Sequence, residues 1–152
     1  MLNNPNQEAV EVASRLADGF TSISGILSDN QVKQIISEIL PGANPTQYRN
    51  IELRMDYISE NVGIASCMGT SAIISRRILA SLHYHLQEMV DSVILVAQSY
   101  ENTVIQANKN KIKTQTGNGN RANAIALLKT ISDLRSTFNC PLIILELNQS
   151  EN

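Results

Sequence analysis

Residues 82–103 read LHYHLQEMVDSVILVAQSYENT, inside a stretch from Thr70 to Lys113 that contains neither glycine nor proline. Across it Leu79, Leu82, Leu86, Met89, Val93, Val96, Tyr100 and Thr103 fall at alternating steps of three and four, the spacing of one helical face. The spacing predicts one central helix from about 70 to 113, roughly 60 Å long at a rise of about 1.5 Å per residue. Lys109, Lys111 and Lys113 would complement the negative end of its dipole. Arg76 and Arg77, near its start, oppose the dipole and call for an acidic neighbour.

Shorter helices surround it in this reading. NNPNQ at 3–7 and ANPTQ at 43–47 repeat one phrase, in which Asn4 or Asn44 caps, proline presets φ, and Gln7 or Gln47 closes a capping box. Ser28 and Gln31 form a third such box. The apolar spacing gives a first helix over about 5–26 and a second from Ser28 to the Pro41-Gly42 stop. A third runs behind Pro45 through Tyr48, Ile51, Met55, Ile58, Val62 and Ala65 to Gly69. The polar, glycine-bearing TQTGNGNR at 114–121 is a loop, after which Asn120 caps a helix carrying Leu127, Ile131 and Leu134. Pro141 ends that grammar, and Leu142 to Leu147 read as a short strand or extended tail. The expectation is an all-α bundle of about five helices, a single domain over 1–152, with a C-terminal extended segment at 142–147.

Composition narrows function. The chain of 152 residues is 43% hydrophobic, only 17% charged and 4% aromatic, with a formal charge of −2. A weakly charged surface suits protein contact better than long-range capture of a polyanion. Cys67 and Cys140 stand far apart without a CxxC, and read as buried free thiols. With no leader-like start and no apolar run near the roughly 18 residues of a membrane span, a cytoplasmic setting is expected.

Chemistry is sparse at this level. His83 and His85 are two residues apart, so on a helix they face different ways and cannot chelate one metal. No Glu-x-x-His, P-loop or nucleophile signature occurs, and Glu88 with Asp91 is an ordinary acidic pair. These absences lead to a non-enzymatic, cofactor-free helical scaffold or adaptor. It would self-associate through Leu79, Leu82, Leu86, Met89, Val93, Val96 and Tyr100, as a homo-oligomer or with another protein.

Two alternatives stand beside it. From Glu101 to Asp133 no acidic residue intervenes, while Lys109, Lys111, Lys113, Arg121 and Lys129 gather around the glycine loop, a patch able to meet nucleic-acid phosphates. The other is a haem-binding or similar helical sensor using His83 or His85.

Overall fold

The computed structural model describes residues 1–46, 53–110, 121–134 and 136–148, the side chains of 107–110 excepted. It is an α/β structure, not an all-α bundle. The stretch expected as one helix contains three elements: helix α3 (Ala72–Leu86), strand β4 (Ser92–Gln98) and helix α4 (Tyr100–Asn110).

The physical reason lies in SVILVAQ. All seven of its residues are buried, because β4 is covered on both faces, and such a strand reads as an unbroken apolar run instead of an alternation. An unbroken run satisfies every periodicity, including the helical one. Along β4 successive side chains point to opposite layers: Val93, Leu95 and Ala97 to one core, Ile94 and Val96 to the other.

The sheet has five strands in the order β1-β2-β3-β4-β5, with β1 (Asn44–Pro45), β2 (Tyr57–Ser59), β3 (Val62–Cys67) and β5 (Leu142–Leu147) completing it. The first three strands run antiparallel as a meander, and β3, β4 and β5 run parallel. The expected third helix is therefore replaced by β2 and β3. Tyr48 and Ile51, placed in that helix, lie outside the described residues, as does Gln47. Asn44 and Pro45 form a strand where a helix cap was expected.

Helices α1 (Gln7–Thr21) and α2 (Asp29–Ile39) cover one face, with Leu16, Phe20, Val32 and Ile36 against Ile64, Ile94 and Ile143. On the other face α3 and α5 (Ala124–Asp133) bring Ile74, Ile78, Leu127 and Ile131 onto Ala65, Leu95 and Leu142. These two helices lie in the crossovers that parallel strands require.

Of the expected helix starts, the one at Ser28 is found where it was placed. The Ser28–Gln31 capping box is formed in both directions. The first cap is Asn6 instead of Asn4, its Oδ1 accepting the Ala9 N–H at 2.9 Å, and the last described cap is Asn123, with Asn120 outside the described residues. The segment 142–147 is a strand, but not a lone one: it pairs with β4 over its whole length.

Candidate nucleic-acid cleft

A parallel sheet gathers the carboxyl ends of its strands on one edge, and crevices outside those ends are where open α/β sheets place ligands. Here β3 ends at Cys67 and β4 at Gln98, and the start of α2 sits over both. The resulting cleft holds about 190 Å³ and is lined by Asp29, Met68, Gly69, Gln98, Gln106 and Arg121, among others. That volume is below the usual range for a drug-sized ligand or cofactor, and suits a phosphate or a single base.

Each polar wall residue is held by the fold. Gly69 has φ +111°, a left-handed conformation open to glycine, and turns the chain after β3. The segment it starts pairs back on the far side of the cleft: Thr70 bridges Arg121, and the Ala122 N–H donates to the Gly69 carbonyl at 2.9 Å. Arg121 Nη1 lies 3.4 Å from Gln106 Oε1, an acceptor presented by α4. Gln98 is 4% exposed, and its Nε2 donates to the Leu27 carbonyl at 2.9 Å.

Asp29 connects the cleft to an ionic cluster on the neighbouring strand. Because β2 begins only at Tyr57, the edge of β3 at Ser66 has no strand partner on that side. Side chains fill the gap. Asp56 Oδ2 accepts from the Ser66 N–H at 2.8 Å, and Arg77, reaching from α3, donates Nε to the Ser66 carbonyl and Nη1 to the Arg54 carbonyl, both at 2.7 Å. The Ser66 hydroxyl donates to Asp29 Oδ1.

Lys33 Nζ sits 2.8 Å from Asp29 Oδ2 and 3.8 Å from Asp56 Oδ1, while Arg54 and Arg77 approach the same Asp56 oxygen at 3.7 and 3.9 Å. Asp56 Oδ1 is thus a buried acceptor with no hydrogen-bond partner, neutralised by surrounding charge. Burial alone would raise the Asp29 pKa. Hydrogen bonds from Lys33 and Ser66, with the charges of Lys33 and Arg77, outweigh that and hold it below the ordinary aspartate value. Among the described residues the cluster holds three cationic and two anionic side chains.

The acidic neighbour expected for the arginines at 76–77 is therefore present for Arg77, in Asp56. Among the expected basic residues, Arg121 stands in the cleft wall and Lys129 is exposed on α5. Lys109 belongs to the last turn of α4, and Lys111 and Lys113 lie outside the described residues. Sequence reading did not single out Asp29, Asp56, Lys33, Arg54, Gln98 or Gln106. They come from separate elements, and no local spacing joins them.

The expected self-association seam is divided among elements. Leu79 is exposed and Leu82 half-buried on α3, Leu86 closes that helix 66% exposed, and Met89 is exposed in the turn that follows. Val93 and Val96 are fully buried in β4 on opposite layers, and Tyr100 is half exposed at the start of α4. These residues share no face. His83 and His85 sit in the last turn of α3, His83 edge-on to Tyr84 at 5.8 Å, and neither lines the cleft. Cys67 and Cys140 are free and buried, and burial pushes both thiols up to about 12.

No protein-family model matches the sequence, and no curated protein matches it. Among solved structures the chain resembles restriction endonuclease BGLII complexed with a DNA 16-mer, at a TM-score of 0.68 and 10% identity, over 95% of this chain and 72% of that one. At that identity the likeness is one of fold. It overturns the helical scaffold, since the bundle and seam on which that reading rested are not there. The expectation of a non-enzymatic chain is contradicted by the same likeness, and the seam on which the expected homo-oligomer was to form is divided among elements. Among the described residues no helix is long and apolar enough to cross a membrane.

Proposed function

We propose that this chain is a nucleic-acid-directed domain that takes the phosphodiester backbone at the cleft outside β3 and β4. The observation that carries the reading is the crevice itself: it opens outside the strand ends of an α/β sheet, holds about 190 Å³ and carries Arg121 in its wall, with the Asp29–Lys33 pair linking it to the Arg54–Arg77–Asp56 cluster. Arg121 is the phosphate contact, its guanidinium oriented by Gln106. The solved structure that shares the fold was determined with DNA, which supports the choice of polyanion.

Phosphodiester cleavage commonly uses a divalent cation bridging carboxylates and the phosphate. Asp29 and Asp56, as arranged, do not fit such an ion. The Asp29 oxygens hold Ser66 and Lys33 and Asp56 Oδ2 holds Ser66, while Asp56 Oδ1, without a hydrogen-bond partner, faces Lys33, Arg54 and Arg77 at 3.7–3.9 Å, a surrounding that repels a divalent cation; among the described residues no group of three or more metal-ligating side chains converges. What these residues do is hold one another in place and keep Asp29 ionised but turned toward Lys33 and Ser66.

The test is fluorescence anisotropy with a labelled duplex oligonucleotide across a salt series. Wild type should bind at low salt, and Arg121→Gln should weaken binding to all sequences alike and reduce the slope of log affinity against log salt by about 1. Absence of binding at about 50 mM salt would sink the reading. Gel analysis of the same mixtures with magnesium added reads strand cleavage directly.

A further inference from the structure

β5 is an outermost strand of the sheet, and among the described residues its outer side is met only by one bridge, from Leu2 to Leu142. In a parallel pair the N–H and C=O of one residue point to the same side, and the sides alternate along the strand. The Val93 N–H donates to the Pro141 carbonyl and the Ser99 N–H to the Leu147 carbonyl, both at 2.9 Å, so the odd-numbered residues of β5 face β4. Leu142, Ile144 and Glu146 therefore turn their backbone groups outward. Leu2 takes those of Leu142, donating at 2.8 Å and accepting at 2.9 Å. Those of Ile144 and Glu146 meet no backbone partner among the described residues.

A groove flanks this open edge on each face of the sheet. On the α5 side it holds about 150 Å³ between Leu2, Ala124, half-exposed Leu128, Ile144 and Glu146. At the end of α1 a larger one of about 470 Å³ is lined by Phe20, Ile23, Leu145, Glu146 and Leu147. None of these residues lines the strand-end cleft, so the edge is a separate surface.

We propose that the outer edge of β5 is a docking site for an extended segment of another protein, which adds antiparallel as a sixth strand and carries the order basic, large apolar, apolar. Antiparallel addition continues the direction in which Leu2 already pairs. The pleat sends the incoming residue opposite Leu145 into the α1-side groove and its two neighbours, opposite Ile144 and Glu146, to the α5 face. Leu128 and Ile144 match an apolar side chain there. Glu146, exposed on the edge, matches a lysine or arginine, and α1 ends on the same rim with no basic residue in its last turn to offset its dipole. A second copy of β5 fits worse: paired about Leu145 it sets Ile144 opposite each Glu146 and leaves both carboxylates without a countercharge.

The probe is the peptide acetyl-Thr-Lys-Leu-Val-Thr-amide, with a counterpart carrying Glu in place of Lys, titrated into the intact chain at low salt while amide exchange is followed by NMR. In the free chain Ile144 and Glu146 should exchange rapidly and Ile143 and Leu145, bonded to β4, slowly. The lysine peptide should slow Ile144 and Glu146 and bind about fivefold tighter than its counterpart. Glu146→Lys should reverse that order and Leu128→Asp weaken both peptides, with a thermal melt of each variant to show that it folds. Slow exchange at Ile144 and Glu146 in the free chain overturns the proposal, because the edge is then already covered. So does protection there that rises with protein concentration alone, which assigns the edge to a second copy. A Kd weaker than about 1 mM for both peptides, or a preference that folded Glu146→Lys leaves unchanged, overturns it equally.

Discussion

At the scale of residues, Arg77 ties α3 to the open edge of β3. It is 6% exposed, donates to two carbonyls left open where β2 stops short, and stands beside the buried oxygen of Asp56. Arg77→Met keeps the bulk but strands those acceptors and removes a countercharge, so it should destabilise the fold by about 3 kcal/mol in urea titration. A change below about 0.5 kcal/mol would show that the network contributes nothing to stability. Asp29 gives a pH dependence of known sign. Its folded pKa is depressed, so between the folded and unfolded values the unfolded chain carries a proton that the native chain does not. Its contribution is present above the unfolded value of about 4 and is lost as pH falls through the folded value. Asp29→Asn should flatten the fall in stability below about pH 4; an unchanged acid limb would refute that linkage. At this scale the sequence was partly legible. The Ser28–Gln31 box could be read from spacing, and an acid near Arg77 could be anticipated from the helix dipole, but that it is Asp56 could not, because the two residues meet only through the sheet edge.

At the scale of elements, the difference between a long helix and a helix–strand–helix turns on the run from Glu88 to Val93. Glu88 has φ +57°, and the Met89 N–H donates to Tyr84 O while the Glu88 N–H donates to His85 O, which closes α3 in a left-handed cap. Glycine usually occupies that position, and its absence hid the helix end from sequence reading. The enrichment of β-branched residues in SVILVAQ was a usable signal, as was its likeness in length to the apolar run at 142–147. Two substitutions separate the architectures. On one continuous helix Leu86 and Val93 are seven residues apart on the same face, so aspartate at either would have similar consequences. In this fold Leu86→Asp should change stability by less than about 1 kcal/mol, whereas Val93→Asp, which buries a charge in the central strand, should prevent folding. Equal effects by circular dichroism would contradict the β4 assignment.

At the scale of the whole molecule, the α/β order brings to one edge residues that the sequence keeps far apart. Asp29 opens α2, Gln98 ends β4, Gln106 lies on α4 and Arg121 precedes α5, and they meet because parallel strands put their carboxyl ends on one side. The basic stretch from Lys109 to Lys129 was legible as a cluster in sequence, since charge counting needs no fold. The cleft was not, since Arg121 stands in its wall where its segment pairs with Thr70, while Lys129 does not line it and Lys111 and Lys113 lie outside the described residues. The most direct test of the account is amide hydrogen exchange on the intact chain with and without a duplex oligonucleotide at low salt. The account predicts slowed exchange at Met68–Thr70, at the start of α4 after Gln98, and around Arg121, with the outer faces of α3 and α5 unchanged. Protection confined to those outer faces, or no protection on saturation with DNA, would contradict the assignment of the strand-end cleft as the nucleic-acid site.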